Sequence, residues 1–386
     1  MRTPDTPGPI RLIPVGGFLG SGKTTLLRRA AANFEADGKR VALITNDQAP
    51  NLVDTELLRR EGLAVGEVSG GCFCCRFDQL VASIETLTDR GRPDIVLAEP
   101  VGSCTDLAAT VIRPLRRLYP DAFEVAPFTV LVDPARLIEA FAGGSAGKLA
   151  GSVYYILQKQ LEEADAIVIN KADLLSTEEL NSVVSLVRQH LPGTPTVTVS
   201  ARTGWGFDAW RSVVENKKAA GQRIVDVDYD VYADGERVLG WLNARVHLQG
   251  SKPCDWTTVS RDFLHRMQEG LAASDSETAH LKLLVSTSDG WVGGDLTRSA
   301  EQPSVNGDIA GQPQEASLVV NARAQKDPAT LRAIFETALR SCTGTALVAT
   351  ISSLECFAPS RPVPTHRDAE AVTSEDRADH RRQSLA

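Results

Sequence analysis

The octapeptide Gly17-Phe18-Leu19-Gly20-Ser21-Gly22-Lys23-Thr24 fits G-x4-G-K-[ST], a pattern that tolerates very few folds around it. Backbone amides that converge on a β-phosphate need glycines able to approach closely and to take dihedrals closed to other residues. Such a loop works between a buried strand and the helix it opens. Both flanks are present: the apolar run Ile10–Val15 precedes it and a helical stretch, Lys23–Ala36, follows and stops at Gly38. Lys23 is expected to reach the β/γ-oxygens and Thr24 to ligate Mg²⁺. Gly17, Gly20, Ser21, Gly22 and Thr25 complete the cradle.

Further apolar runs at Val41–Ile44, Asp94–Ala98, Pro127–Val132, Ala166–Ile169 and Thr196–Val199 alternate with helical patterns such as Val153–Glu163 and Thr177–Leu191. This alternation predicts an α/β fold with a doubly wound, mostly parallel sheet, as in P-loop NTPases, with its chemistry at the carboxyl ends of the strands. Glu99 ends one such run in the acidic position of a Walker B strand, where it would organise Mg²⁺ or the attacking water. Gly102 follows where a backbone amide can meet a γ-phosphate. Asp47, after the second strand, either positions water or Mg²⁺ or begins a turn.

Asn170-Lys171-Ala172-Asp173 follows the run Ala166–Ile169 and has the N-K-x-D arrangement of guanine-specific proteins. A carboxylate at Asp173 accepts from guanine N1–H and the 2-amino group, whereas adenine would leave it unpaired, a difference worth ~10⁴ or more in selectivity. Lys171 would lay its stem along the base and Asn170 would tie this loop to the cradle. Ser200-Ala201-Arg202, after the next strand, resembles the motif that offers a backbone amide to guanine O6. GTP is the predicted nucleotide.

Gly70-Gly71-Cys72-Phe73-Cys74-Cys75 packs three thiols into four positions. Thiolates are soft ligands suited to Zn²⁺, Cu(I) or Co²⁺ rather than Mg²⁺, and the two glycines allow the sharp bend that convergence demands. Three sulfurs leave a tetrahedral position open, which suits exchange. Small buried hydrophobes or a redox pair are the alternatives, but neighbouring residues on a strand face opposite sides. Cys104 is open between a fourth sulfur and a core residue. Cys254, Cys342 and Cys356 read as packing, and His247, His265 and His280 as satisfied or surface histidines.

A length of 386 residues suits two domains, and 42% hydrophobic residues suffice to bury a core. The formal charge of −8 with scattered Lys and Arg argues against nucleic acid. With seven cysteines, no secretory pattern and no apolar membrane-length run, a cytoplasmic protein with reduced thiols and no membrane partner is expected. The expected organisation is a flexible N-terminus (1–9), the nucleotide domain (10–216), a linker (217–235), a smaller α+β domain (236–356) and a disordered tail (357–386). In the second domain the pattern β-α-β-β-α-β predicts a split βαβ sandwich, with Gly290–Pro313 as a loop.

Together GFLGSGKTT (Gly17–Thr25), GGCFCC (Gly70–Cys75), AEPVG (Ala98–Gly102), NKAD (Asn170–Asp173) and SARTG (Ser200–Gly204) resemble the CobW-type P-loop GTPases. That family is related to the GTPases that insert nickel into urease and hydrogenase, and includes nitrile hydratase activators and zinc chaperones. The resemblance implies GTP hydrolysis, a metal at Cys72, Cys74 and Cys75 (zinc first, cobalt second), Mg²⁺ at Thr24 and Glu99, and a client metalloprotein docking on the second domain. A metal-sensing switch that delivers nothing, a cobalamin-related assembly GTPase and a small-molecule kinase are the competing readings. The segment Asn46–Asp54 departs from the family's N-E-F-G-E-x-G-x-D and matches only at its ends, and no His-rich stretch is present.

Overall fold

The computed structural model describes residues 8–141, 149–216, 220–299 and 301–369. Most of the N-terminus expected to be flexible, 1–7, lies outside them. The first domain runs β1 (Ile10–Gly17), α1 (Lys23–Ala36), β2 (Val41–Asn46), α2 (Val53–Arg60), β3 (Ala64–Val68), α3 (Phe77–Gly91) and β4 (Ile95–Glu99). A short π-helix (Ala108–Ile112) then leads into α4 (Arg113–Leu118), β5 (Phe123–Val125), β6 (Thr129–Val132), α5 (Pro134–Phe141), α6 (Gly151–Glu163) and β7 (Ala166–Ile169). The domain continues through α7 (Thr177–His190), β8 (Thr196–Thr198), α8 (Phe207–Glu215) and α9 (Tyr229–Arg237).

All the strand pairs are parallel, in the order β3-β2-β4-β1-β6-β7-β8, with β5 also on β1. The central strands are continuous apolar runs because both faces are covered. One core gathers Leu80, Val111 and Leu157 on the α3 and α6 side. The other gathers Leu26, Leu27 and Trp210 on the α1 and α8 side. α9 begins inside the stretch read as linker and runs two residues past its end. It packs closely on α6, since a Cβ on Gly235 would lie 2.4 Å from Ser152 O.

The second domain comprises β9 (Gly240–Gly250), α10 (Trp256–Ala273), β10 (Thr278–Ser286), β11 (Gly290–Leu296), β12 (Ser304–Ile309), β13 (Glu315–Ala324), α11 (Pro328–Thr343) and β14 (Leu347–Phe357). Its sheet is antiparallel, ordered β12-β11-β10-β13-β9-β14. The four strands β9, β10, β13 and β14 with the two helices form the expected split βαβ arrangement. The β11–β12 hairpin corrects the loop expected over Gly290–Pro313. Glycine serves close packing there: a Cβ on Gly294 would meet Leu264 Cδ1 at 2.4 Å.

Strand alternation divides this sheet's residues. Leu281, Leu283, Val320 and Ala322 face α10 and α11. Leu284 and Val319 pack instead on Val53 of the first domain, and the polar Lys282, Asn321 and Arg323 reach toward that domain as well. The expected disordered tail needs correction too. Residues 358–369 return to the first domain, where Arg117 pairs with Asp368 (2.8 Å) and Arg367 with Asp106 (2.7 Å). The remainder, 370–386, lies outside the described residues.

Candidate nucleotide pocket and thiol cluster

β1 delivers the chain to a loop in which Gly17, Gly20 and Gly22 have φ of +133°, +75° and +95°. A Cβ on Gly17 would lie 2.2 Å from Leu131 O, and one on Gly22 2.2 Å from Asn170 Nδ2, so glycine is required at both. Lys23 is buried and donates to Gly17 O (2.9 Å). Burial pulls its pKa down, with Glu99 opposing. The buried Ser21 hydroxyl has no hydrogen-bond partner. An ammonium turned back on its own loop and an orphaned hydroxyl fit a polyphosphate ligand.

Thr24 Oγ1 lies 3.0 Å from both oxygens of Glu99. Burial, then the nearby Asp54 carboxylate, raises the Glu99 pKa. Lys282 of β10 lies 3.5 Å from Thr24 Oγ1 and pairs with Asp54 at 2.6 Å. Burial would lower its pKa, but Asp54 and Glu99 carry it upward overall. One hydroxyl and two carboxylates thus converge around a cation, an oxygen set that fits Mg²⁺.

The pocket, about 160 Å³ in volume, is walled by both domains. Asp47 lines it, but its carboxylate is held by a bidentate pair with Arg323 (2.9 and 2.8 Å). Asn243 and Asn321 donate to Pro50 O and Asn51 O (both 2.9 Å), and Asn321 Oδ1 accepts from Val53 N (2.8 Å). The divergent segment Asn46–Asp54 is therefore gripped by the face of the antiparallel sheet. His280, expected to be satisfied or at the surface, also lines the pocket, and its Nε2 is buried without a partner.

At the base end, Asn170 Nδ2 donates to Ser21 O (2.8 Å) and its Oδ1 accepts from Ala201 N (2.9 Å). One side chain joins the three loops. It also engages the Ala201 amide of the Ser200-Ala201-Arg202 motif. Lys171, with φ of +58°, pairs with Asp133 (2.6 Å). Asp173 is paired with Arg202 (2.5 Å). Burial works against the Asp173 carboxylate, but Ser200 and Arg202 hold its pKa below the ordinary value. Thr25 and Gly102 line the pocket. Ser200 Oγ accepts from Thr203 N (3.1 Å).

The three thiols of Cys72, Cys74 and Cys75 lie within 4.8 Å of one another. The first two are buried and Cys75 is part-exposed. Gly70 (φ +79°) and Gly71 (φ +153°) make the bend, and Cys75 N and Arg76 N both donate to Cys72 O (3.0 and 2.9 Å). Asn46 holds this turn from β2: its Nδ2 donates to Val68 O (2.9 Å) and Gly71 O (2.8 Å), and its Oδ1 accepts from Phe73 N (2.8 Å). Cys104 Sγ stands 3.8 Å from Cys74 Sγ. Hydrogen bonding to Cys72 pushes the Cys75 thiol up to about 11. Hydrogen bonds from Cys72, then Cys74, bring Cys104 down to about 7. The returning C-terminal segment roofs the turn, with Thr365 N donating to Cys74 O (2.8 Å) and His366 edge-on to Phe77.

A parallel α/β sheet with a glycine-rich loop between strand and helix, and a clustered-thiol turn beside it, defines a P-loop nucleotide-binding fold. Residues 11–198 match the family described as CobW/HypB/UreG, nucleotide-binding domain. It is 29% identical over 224 residues to the zinc chaperone CobW of a Sinorhizobium species, covering 51% of this chain and 60% of that one. It is 25% identical over 207 residues to the zinc-regulated GTPase metalloprotein activator 1 of Dictyostelium discoideum, covering 46% and 43%. The chain spans about half the length of these curated relatives. The hydrogenase maturation factor HypB structure from Archaeoglobus fulgidus aligns with a TM-score of 0.35 at 20% identity, covering 54% of this chain and 89% of that one. Among the described residues, no helix is long and apolar enough to cross a membrane.

Proposed function

We propose that this protein is a GTP-hydrolysing metal chaperone, which takes up zinc through Cys72, Cys74 and Cys75 and couples its release to a client protein to GTP hydrolysis. The observation that carries this reading is Asn46. Its side chain fixes the cysteine turn by three hydrogen bonds, while the segment it begins, through Asp47 and Asp54, lines the phosphate pocket. A rearrangement of that segment on phosphate binding is transmitted to the sulfurs without an intermediary.

In this reading Gly17, Gly20, Ser21, Gly22 and Thr25 cradle the phosphates, Lys23 meets the β/γ-oxygens and Gly102 the γ-phosphate. Asn170, Lys171, Asp173, Ser200 and Ala201 frame guanine, with Asp173 accepting from its N1–H and 2-amino group. Mg²⁺, held by Thr24 and Glu99 with Asp54 beside them, would neutralise charge on the phosphates. Glu99 orients the water that attacks the γ-phosphorus, breaking the bond to GDP and releasing phosphate. Asp47 serves as the anchor of its segment through Arg323 rather than as a second water ligand. Zinc is favoured because thiolate tetrahedra suit it and the relatives bear zinc in their names, with cobalt second. The client site is assigned to β14, an eleven-residue edge strand that exposes Val348 and Ile351. Reduced thiols point to the cytoplasm as the working compartment.

The test is zinc affinity, read by competition with a chromophoric chelator in the presence of Mg²⁺ and a non-hydrolysable GTP analogue. A Cys72/Cys74/Cys75 triple-alanine protein should lose the tight site. Unchanged affinity would end the proposal.

A further inference from the structure

We propose that Cys104 is the fourth sulfur ligand of the thiol cluster, so that the cargo metal is clamped between two loops, one after β3 and one after β4. This rests on the reading that Cys72, Cys74 and Cys75 hold a transition metal.

A tetrahedral site with metal–sulfur bonds near 2.3 Å has sulfur–sulfur edges of about 3.8 Å. Cys74 stands 3.7 Å from Cys75 and 3.8 Å from Cys104, so both pairs already have that spacing, whereas Cys72 lies closer to Cys74 (2.7 Å) and Cys75 (3.2 Å) and must move outward to share the metal. Cys72 and Cys74 are 3% and 1% exposed and Cys104 1%, so the side of the triad that Cys104 occupies is closed to solvent. A water molecule or client group has no approach from there, whereas the Cys104 thiol already borders that of Cys74. Entry is left to the part-exposed Cys75 side, beneath the returning C-terminal segment.

The backbone around Cys104 is built to aim it. Cys104 N donates to Val101 O (2.9 Å), closing a tight turn. Buried Gln160 donates to Gly102 O (3.0 Å) and Cys104 O (2.9 Å), and Ser103 Oγ donates to Glu236 (2.6 Å). The same loop begins at Glu99, which meets Thr24, and a Cβ on Gly102 would lie 2.7 Å from Leu19 of the cradle. A fourth ligand carried here rides on the loop next to the γ-phosphate, whereas the other three ride on the turn held by Asn46. The metal would then report on both flanks of the nucleotide pocket at once.

The experiment counts sulfurs in the full chain. Zinc-loaded wild type, Cys104→Ser, Cys104→Ala and His366→Ala are compared by zinc K-edge X-ray absorption, with cobalt(II) charge-transfer spectra and chelator competition alongside. Four sulfurs are expected in wild type and in His366→Ala, falling to three in both Cys104 variants, with zinc affinity reduced at least roughly 10-fold. Circular dichroism and retained GTP binding certify the variants, and if they do not fold, the wild-type sulfur count decides by itself. Three sulfurs in wild type overturn the assignment of Cys104 while leaving the three-cysteine reading intact. Failure of wild type to bind metal overturns both.

Discussion

The parallel sheet presents its candidate groups at strand ends, whereas the antiparallel sheet presents the flat of β10 and β13. In the first domain Gly17, Asn46, Val68 and Glu99 each finish a strand: the loops after Gly17 and Val68 form the glycine-rich loop and the cysteine turn, Asn46 braces that turn and Glu99 meets Thr24. In the second, Lys282 in the middle of β10 and Arg323 near the end of β13 point off the sheet face and reach across to Asp54 and Asp47. Strand ends build the pocket from backbone, while the sheet face inserts the side-chain cations Lys282 and Arg323 into it. The second domain thus contributes side chains to the wall of the first domain's pocket.

The largest effect that would sharpen this contrast lies in the first domain. Asp173→Asn replaces a double acceptor with a mixed group and should weaken GTP by roughly 10²-fold or more while sparing xanthosine triphosphate. Competition binding with both nucleotides checks this, and equal losses for the two would remove Asp173 from base reading.

The second domain's contribution is tested by Lys282→Ala. It leaves Asp54 and Glu99 facing one another around Thr24 with one cation fewer. The nucleotide-free protein should lose up to about 3 kcal/mol, the low end for a pair that is not fully desolvated. Added Mg²⁺ should restore much of the loss. Thermal melting with and without Mg²⁺ measures this, and an unchanged melting point would show that the sheet face does not guard the pocket.

This asymmetry also explains what was legible in the sequence. A phosphate cradle needs fixed spacing of glycines, lysine and hydroxyl, so Gly17–Thr24 declares itself, and Asn170–Asp173 does so for the same reason. Cys72, Cys74 and Cys75 were legible because three thiols in four positions fit no packing pattern. Lys282, Asn321 and Arg323 carry no such spacing, because they become neighbours only once β10 and β13 are in register, with Lys282 opposite Asn321. The available signal was alternation: polar residues interleaved with Leu281, Leu283, Val320 and Ala322 imply a second covered face. The β11–β12 hairpin was missed because its glycines look like loop residues when they in fact admit Leu264 and Trp291. Residues 358–369 were missed because a polar segment anchored by Arg367, Asp368 and backbone hydrogen bonds has the composition of a disordered one.

A subtler difference concerns pH. Burial raises both Glu163 and Glu236 to about 8 from an ordinary 4.5. They brace the segment after β4: Glu163 accepts from Ala108 N (2.9 Å) and Thr105 (3.2 Å), and Glu236 accepts from Ser103. The folded state binds these protons more tightly than the unfolded chain. Their stabilising contribution is therefore complete below about pH 4.5 and is lost as pH rises through about 8. Urea midpoints between pH 5 and 9 should decline in wild type, and the decline should flatten in Glu163→Gln and Glu236→Gln. An equal slope in the variants would place the titration elsewhere.

The most direct measurement is the zinc affinity of the wild-type protein with Mg²⁺ and a non-hydrolysable GTP analogue against its affinity with Mg²⁺ and GDP. Sites joined through Asn46 and the loop after Glu99 should differ roughly 5- to 150-fold, the usual span of allosteric coupling, with tighter binding beside the triphosphate. Identical affinities in the two nucleotide states would contradict the coupling of metal to nucleotide.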